Sequence, residues 1–201
     1  SRGLGDVYKR QNLWIIPEII DLHGNGMLGY SFESKIPEDE LDRMIIQFKL
    51  KGQHRLVPTI TTVSFESYEN FISNCTYLKK RGALLACHLE GPFLEQNYSG
   101  VHCEKYILDS SQYSEFREKI LKQLWDLEVP ILMTACLSFI DKIREPRLIF
   151  SLGHTSGGHL PPQVSSITHT FNAMPSLHHR SPHFLWKAFQ KSAQQLSLIH
   201  I

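Results

Sequence analysis

Histidine is the residue type that asks for an explanation: the chain has 11, and six of them (His154, His159, His169, His178, His179 and His183) fall between residues 154 and 183. A catalytic zinc-type site takes about three His, Asp or Glu side chains and leaves an open position for water, whose pKa drops to about 7 on the ion. Glu90, His154 and His169 suit that chemistry. Each follows an apolar run and precedes small or turn-forming residues: Gly91-Pro92, Thr155-Ser156-Gly157 and Asn172-Ala173. Their spacing makes no local motif, so separate elements must bring them together. Taken singly, His154 and His169 read equally as core histidines. A carboxylate between an apolar strand and Gly-Pro, by contrast, has no structural need. His23 reads either as a ligand or as a hydrogen-bonding neighbour of one. His88 reads as a structural histidine beneath the site, and His159, His178, His179 and His183 as loop and surface residues, with His178 or His179 able to lie near a phosphate.

The elements that would position these groups follow from hydrophobic periodicity. Leu13 to Ile20 reads as a first strand. A helix from Pro37 to Lys51 places Leu41, Met44, Ile45 and Phe48 on one face and stops at Gly52. Arg55 to Thr61 is a second strand. Phe71, Ile72, Cys75 and Leu78 mark a helix closed by Lys79, Lys80, Arg81 and Gly82, where basic residues and glycine belong. Ala83 to His88 reads as a third strand, and Phe116, Ile120, Leu124 and Leu127 as a helical stripe. Pro130 to Cys136 is a fourth strand, Ser138 to Pro146 a polar connector, Leu148 to Leu152 a fifth strand and Ser166 to Phe171 a sixth.

Strands alternating with helices imply right-handed crossovers and a parallel sheet, either doubly wound or a (β/α) barrel. The placement of the polar residues separates the two. His23 and Asn25 follow strand one, His88 and Glu90 end strand three, His154 follows strand five and His169 lies in strand six. A barrel draws its site from the C-terminal ends of several strands, whereas a doubly wound sheet concentrates it at one switch point beside a Gly-rich turn. Gly24-Asn25-Gly26 is not that turn. The expectation is an α/β fold: a partial (β/α)8 TIM-type barrel of about six βα units, against the roughly 250 residues of a complete one.

Composition narrows the function. Lys and Arg number 21 against 20 Asp and Glu, so 21 − 20 gives +1, which argues against a nucleic-acid binder. With 42% hydrophobic and 20% charged residues the chain can bury a core. Its longest apolar run, Val129 to Ile140, is interrupted by Pro130, Thr134 and Ser138 and falls short of the roughly 20 residues that span a bilayer. Ser1 to Gln11 lacks the features of a secretory signal. No membrane or nucleic-acid partner and a cytoplasmic location are the expectations. Cys75, Cys87, Cys103 and Cys136 form no C-x-x-C pair and read as reduced thiols. Residues 1–11 and 196–201 fit no element and read as a non-native leader and tail around a hydrolase barrel over 12–195.

The residues themselves carry a family resemblance. His88-Leu89-Glu90-Gly91-Pro92-Phe93-Leu94, Gly153-His154-Thr155 and Thr168-His169-Thr170-Phe171-Asn172-Ala173-Met174-Pro175 resemble the N-acetylglucosamine-6-phosphate deacetylases of the metal-dependent amidohydrolase superfamily. Ile20-Asp21-Leu22-His23-Gly24-Asn25-Gly26, Val57-Pro58-Thr59 and Gly100-Val101-His102 support it in the family's order, from about residue 14 to 186. The resemblance implies metal ligation by Glu90, His154 and His169, and contact of His102 with the acetamido carbonyl. It implies substrate contacts from Val101, Asn172 and Ala173, and a phosphate contact from Arg180, whose planar fork suits bidentate binding. It further implies hydrolysis of N-acetylglucosamine 6-phosphate to glucosamine 6-phosphate and acetate, in amino-sugar catabolism. One divalent ion is implied, zinc first, with iron, cobalt or manganese as alternatives, and a homodimer when full length. His23-x-Asn25, where some members have H-x-H, favours one metal over two.

Other positions depart from the family. An aspartate at a later strand end serves it as general base, and Asp21, Asp109, Asp126 and Asp141 fall in the first strand, a loop, a helix and a connector. The expectation is a chain that does not turn over by itself; the alternative is a truncated or degenerate barrel that binds metal or sugar phosphate without catalysis. Strand four ends in Thr134-Ala135-Cys136-Leu137 instead of an acidic A-P-E turn. His154 and His169 are 169 − 154 = 15 apart, and Gly157, Gly158, Pro161 and Pro162 leave little room for a helix between them.

Overall fold

A computed structural model describes residues 16–180, 184–190 and 195–196. Its longer helices form where apolar residues recur at helical spacing. Helix α1 (Glu38–Leu50) buries Leu41, Met44, Ile45 and Phe48, opens on Glu38, Asp39 and Glu40, and carries Lys49 in its last turn. Those charges complement the helix dipole at both ends. Helix α2 (Phe65–Lys80) starts where the Ser64 hydroxyl accepts the Ser67 N–H at 3.3 Å, and buries Tyr68, Phe71, Ile72, Cys75 and Leu78. It stops before Gly82, whose φ of +67° suits the residue that closes a helix. The third stripe is helical as expected: α3 (Tyr113–Phe116), a π-type segment over Arg117–Leu121, and α4 (Lys122–Trp125) bury Phe116, Ile120, Leu121 and Leu124.

A hairpin of β1 (Gly26–Met27) and β2 (Tyr30–Ser31) precedes the main sheet. The sheet has six strands in sequence order: β3 (Thr59–Ile60), β4 (Cys87–Glu90), β5 (Ile131–Ala135), β6 (Leu148–Leu152), β7 (Val164–Ile167) and β8 (Gln195–Leu196). Every neighbouring pair is parallel. Unbroken sequential order is the order of a barrel wall, since a doubly wound sheet reverses direction at its switch point. The fold is α/β, with the strands of a partial barrel. Its core is apolar and aromatic, and Phe93 and Phe139 stack in it at 4.0 Å between ring centroids. No helix among the described residues is long and apolar enough to cross a membrane.

Several boundaries differ from expectation. Residues 16–20 form no strand; the remainder of the expected first strand lies outside the described residues, and the wall beside β3 is marked only by a Gly24–Pro58 bridge. Pro58 has no N–H for a ladder, which shortens the second strand to Thr59–Ile60. The third strand runs from Cys87 to Glu90, later than Ala83 to His88, because its register with β5 pairs Cys87 with Ile131 and Glu90 with Thr134. The connector after the fourth strand contains a helical turn, α5 (Leu137–Ile140), that buries Leu137, Phe139 and Ile140. The last expected strand ends at Ile167, so His169 stands beyond it in a turn. A short helix α6 (Phe184–Gln190) precedes β8. Residues 1–11 and 197–201 lie outside the described residues, while Leu196 contributes backbone to β8.

Candidate metal centre

Glu90 closes β4 and turns its carboxylate into the barrel mouth, where four imidazoles meet it. His154 Nε2 lies 3.2 Å and His169 Nε2 2.5 Å from Oε1, while His23 Nε2 lies 3.1 Å and His102 Nε2 3.7 Å from Oε2. The carboxylate is buried, as are His102, His154 and His169. Burial by itself would raise the Glu90 pKa; the four imidazoles around it, His102, His154, His169 and His23, outweigh it and hold the carboxyl far below the usual carboxylate range.

Local backbone aims these groups. His154 and His169 take φ of +48° and +53°, a left-handed conformation that costs a residue with a Cβ about 1 kcal/mol or more. Each stands two residues beyond the end of its strand, β6 or β7, where the left-handed turn redirects the chain. Gly91 has φ +95°, and a Cβ there would come 2.1 Å from Thr62 Oγ1, which donates to the Glu90 carbonyl at 3.1 Å. Glycine is therefore required for the turn that leaves Glu90 facing inward.

The outer ring nitrogens set what each imidazole offers. His154 Nδ1–H donates to the Tyr98 carbonyl at 2.7 Å, so its Nε2 keeps a lone pair. That lone pair faces a carboxylate oxygen, and two acceptors in contact require a proton or a cation between them. His102 is the reverse: its Nδ1 accepts the Thr62 N–H at 3.2 Å, which leaves Nε2–H as a donor. The buried Nδ1 atoms of His23 and His169 have no hydrogen-bond partner. Two tight donor groups share Glu90, one with His23 and His169 and the other with His102 and His154, the atoms of each lying within 4.8 Å of one another. The donor set fits a divalent ion: a carboxylate and imidazole nitrogens, buried, with the His154 lone pair opposed to a carboxylate oxygen.

His88 lies beneath this cluster and off it. Its Nδ1 faces the Leu22 carbonyl at 2.9 Å, its Nε2 meets Thr134 Oγ1 at 2.8 Å, and burial pushes its pKa down to about 3. Above the cluster a cleft of about 410 Å³ is walled by Thr61, Tyr98, Val101, Asn172, Ala173 and Met174, among others, a size that suits a small molecule. Val101, His102, Asn172 and Ala173 thus stand with Glu90, His154 and His169 around one space. Arg180 does not line it: the residue is exposed, and its N–H donates to His178 Nδ1 at 3.2 Å. His178 and His179 stack on each other at the surface, and His159 pairs with Asp141 at 3.1 Å. His183 lies outside the described residues. His23 reaches the carboxylate more directly than its spacing alone suggests, and the Ile20-to-Gly26 motif carried that signal. Tyr98, Thr62 and Glu95 contribute backbone or indirect contacts that no motif marks.

A parallel barrel wall with a carboxylate and imidazoles converging at its C-terminal strand ends is an arrangement that could hold a metal ion. The curated relatives this chain is similar to are amino-sugar-phosphate deacetylases: most are called N-acetylglucosamine-6-phosphate deacetylase, and one, in Escherichia coli O157:H7 at 22% identity, N-acetylgalactosamine-6-phosphate deacetylase. Curated relatives called N-acetylglucosamine-6-phosphate deacetylase are 28% identical over 195 residues in Caenorhabditis elegans, covering 86% of this chain and 46% of the relative. The Mus musculus relative is 28% identical over 187 residues, covering 84% and 45%. A crystal structure of N-acetyl-D-glucosamine-6-phosphate deacetylase from Mycobacterium smegmatis superposes with a TM-score of 0.72 at 22% identity, covering 90% of this chain and 54% of that one, and supports the fold. The chain spans about half the length of the curated relatives it matches, 46% and 45%. No protein-family profile matches it.

Proposed function

We propose that this barrel segment carries the metal-binding and acyl-binding part of an N-acetylglucosamine-6-phosphate deacetylase, an amidohydrolase that converts N-acetylglucosamine 6-phosphate to glucosamine 6-phosphate and acetate in amino-sugar catabolism. The observation that carries the reading is the buried Glu90 carboxylate ringed by imidazole Nε2 atoms, with the His154 lone pair opposed to it. Glu90, His154 and His169 would hold one divalent ion, zinc first among zinc, iron, cobalt and manganese, with His23 as a neighbouring donor. Such an ion supplies Lewis acidity and lowers the pKa of water to about 7.

His102 presents Nε2–H to the cleft and would donate to the acetamide oxygen as negative charge develops there. Val101, Asn172 and Ala173 would line the sugar, and Arg180 would take the phosphate. Among the described residues lining the cleft, Glu90 is the sole carboxylate. It is committed to the imidazoles, so we propose that the 201-residue chain binds without turnover and that the whole protein's aspartate supplies the general base. The whole protein is proposed to be a cytoplasmic homodimer with no nucleic-acid or membrane partner. The second reading, a barrel that binds metal or sugar phosphate and never catalyses, draws on that same lack of a free carboxylate.

Zinc stoichiometry tests the core of this. The chain should bind about one zinc ion and Glu90→Ala none; stoichiometric zinc in the variant removes Glu90 from the site. Zinc-loaded chain should bind N-acetylglucosamine 6-phosphate more tightly than N-acetylglucosamine. Arg180→Ala should erase that preference, and a preference left intact discards the phosphate role.

A further inference from the structure

Glu95 lies five residues beyond Glu90, outside the donor cluster and off the lining of the cleft. Its backbone and side chain both close on the His154 turn. The Glu95 N–H donates to the His154 carbonyl at 3.1 Å, and the Glu95 carbonyl accepts the Tyr98 N–H at 2.9 Å. Tyr98 in turn offers its own carbonyl to His154 Nδ1–H at 2.7 Å. The Glu95 carboxylate accepts the Thr155 hydroxyl and the Ser156 N–H, each at 2.8 Å. Thr155 is tied on its other sides: Oγ1 accepts the Leu137 N–H at 3.2 Å, and its N–H donates to the Ala173 carbonyl at 3.3 Å.

His154 therefore sits in a left-handed turn, φ +48°, that the next two residues cannot leave while the carboxylate holds them. A strained conformation persists only where surrounding bonds over-determine it. We propose that Glu95 is a positioning residue: it clamps the Thr155-Ser156 backbone so that the His154 ring stays hydrogen-bonded to Tyr98 with Nε2 aimed at the cation site. The proposal rests on the reading of His154 as a cation ligand.

The test uses the 201-residue chain with cobalt(II) as probe, titrated by calorimetry and by its visible d–d spectrum, alongside nitrogen-15 NMR of the ion-free histidine rings. Glu95→Ala should lose the hydrogen-bonded Nδ1–H signal of His154, bind cobalt at least about tenfold more weakly, as removal of an orienting partner does, and show an altered spectrum. Glu95→Gln still accepts from Thr155 and should lose less of each; it carries the test if the alanine variant does not fold. An unchanged His154 ring signal in the variants overturns the proposal. So does wild-type cobalt affinity in Glu95→Ala when His154→Ala binds weakly. Wild-type affinity in His154→Ala overturns the ligand reading instead, and the ring signal then decides the positioning alone.

Discussion

His88 shows how a titratable side chain can be held in one form by its neighbours. Its Nδ1–H donates to Leu22 O, so Nε2 must accept the Thr134 hydroxyl proton; Thr134 then accepts from Thr168, and Thr168 from Ser151, at 2.8 and 2.6 Å. The chain of hydroxyls has one consistent direction, and it exists only while His88 is neutral. Burial, with the nearby His23, pushes the His88 pKa from 6.5 down to about 3. The unfolded chain therefore binds a proton between those values that the folded one refuses. The stability owed to neutral His88 is complete above pH 6.5 and drains away as pH falls toward 3. His88→Gln, which can accept from Thr134 and donate to Leu22, should lower stability at pH 7.5 and give a shallower decline in urea midpoint between pH 6.5 and 4. Parallel declines in the two proteins would show that His88 is not the group responsible. The sequence reads His88 as a structural histidine beneath the site, but the hydroxyls that enforce its neutrality come from three other strands or strand ends and have no common spacing along the chain.

Strand packing leaves little slack at the element scale. Gly153, between the end of β6 and His154, lies against its neighbours so closely that a Cβ would meet Thr134 Cγ2 at 2.9 Å and Thr168 Cβ at 3.1 Å. Both contacts are β-branched side chains fixed in the hydroxyl chain, so neither can swing aside. Gly153→Ala should cost about 1–3 kcal/mol by overpacking, read as a lower denaturant midpoint with an unchanged slope, whereas Gly82→Ala, with open space around the added carbon, should suffer only the cost of its positive φ. Equal losses would refute the close-approach account. The long helices were legible because their apolar residues recur at i, i+3, i+4 and i+7, as Leu41, Met44, Ile45 and Phe48 do over about two turns. Five of the expected strands, β3 to β7, were legible in order but not at their ends, whereas the β1–β2 hairpin and β8 were not. In strands this largely buried no clean alternation marks the register; the ladder between β4 and β5 sets Glu90 inside its strand, and the ladder between β6 and β7 ends at Ile167 and leaves His169 beyond its own. The turn at Leu137–Ile140 was hidden because four residues are too few for a period to show.

For the molecule as a whole, the site and the fold share a free energy. Glu90, His154 and His169 come from three widely separated strand ends, and an ion that grips all three binds the folded chain alone. Zinc at about a hundred times its dissociation constant should raise unfolding free energy by about 2.7 kcal/mol, seen as a higher melting temperature that a chelator reverses. The gain has a pH sign that follows from the ligands. A ring nitrogen cannot hold a proton and the ion at once, so the zinc-dependent increment should shrink as acid competes for the ligands. Glu145, clasped by Arg117 at 3.2 Å and with its pKa lowered once that bond overcomes the effect of burial, weakens the fold only in more acid solution, as pH drops below the ordinary carboxylate range. Melting curves with and without zinc at pH 7.5, 6.0 and 5.0 separate the two: the gap between curves should close first, while Glu145→Gln lowers both curves together and leaves the gap intact. A gap that persists unchanged at pH 5.0 would mean that the stabilising ion is not held by imidazole.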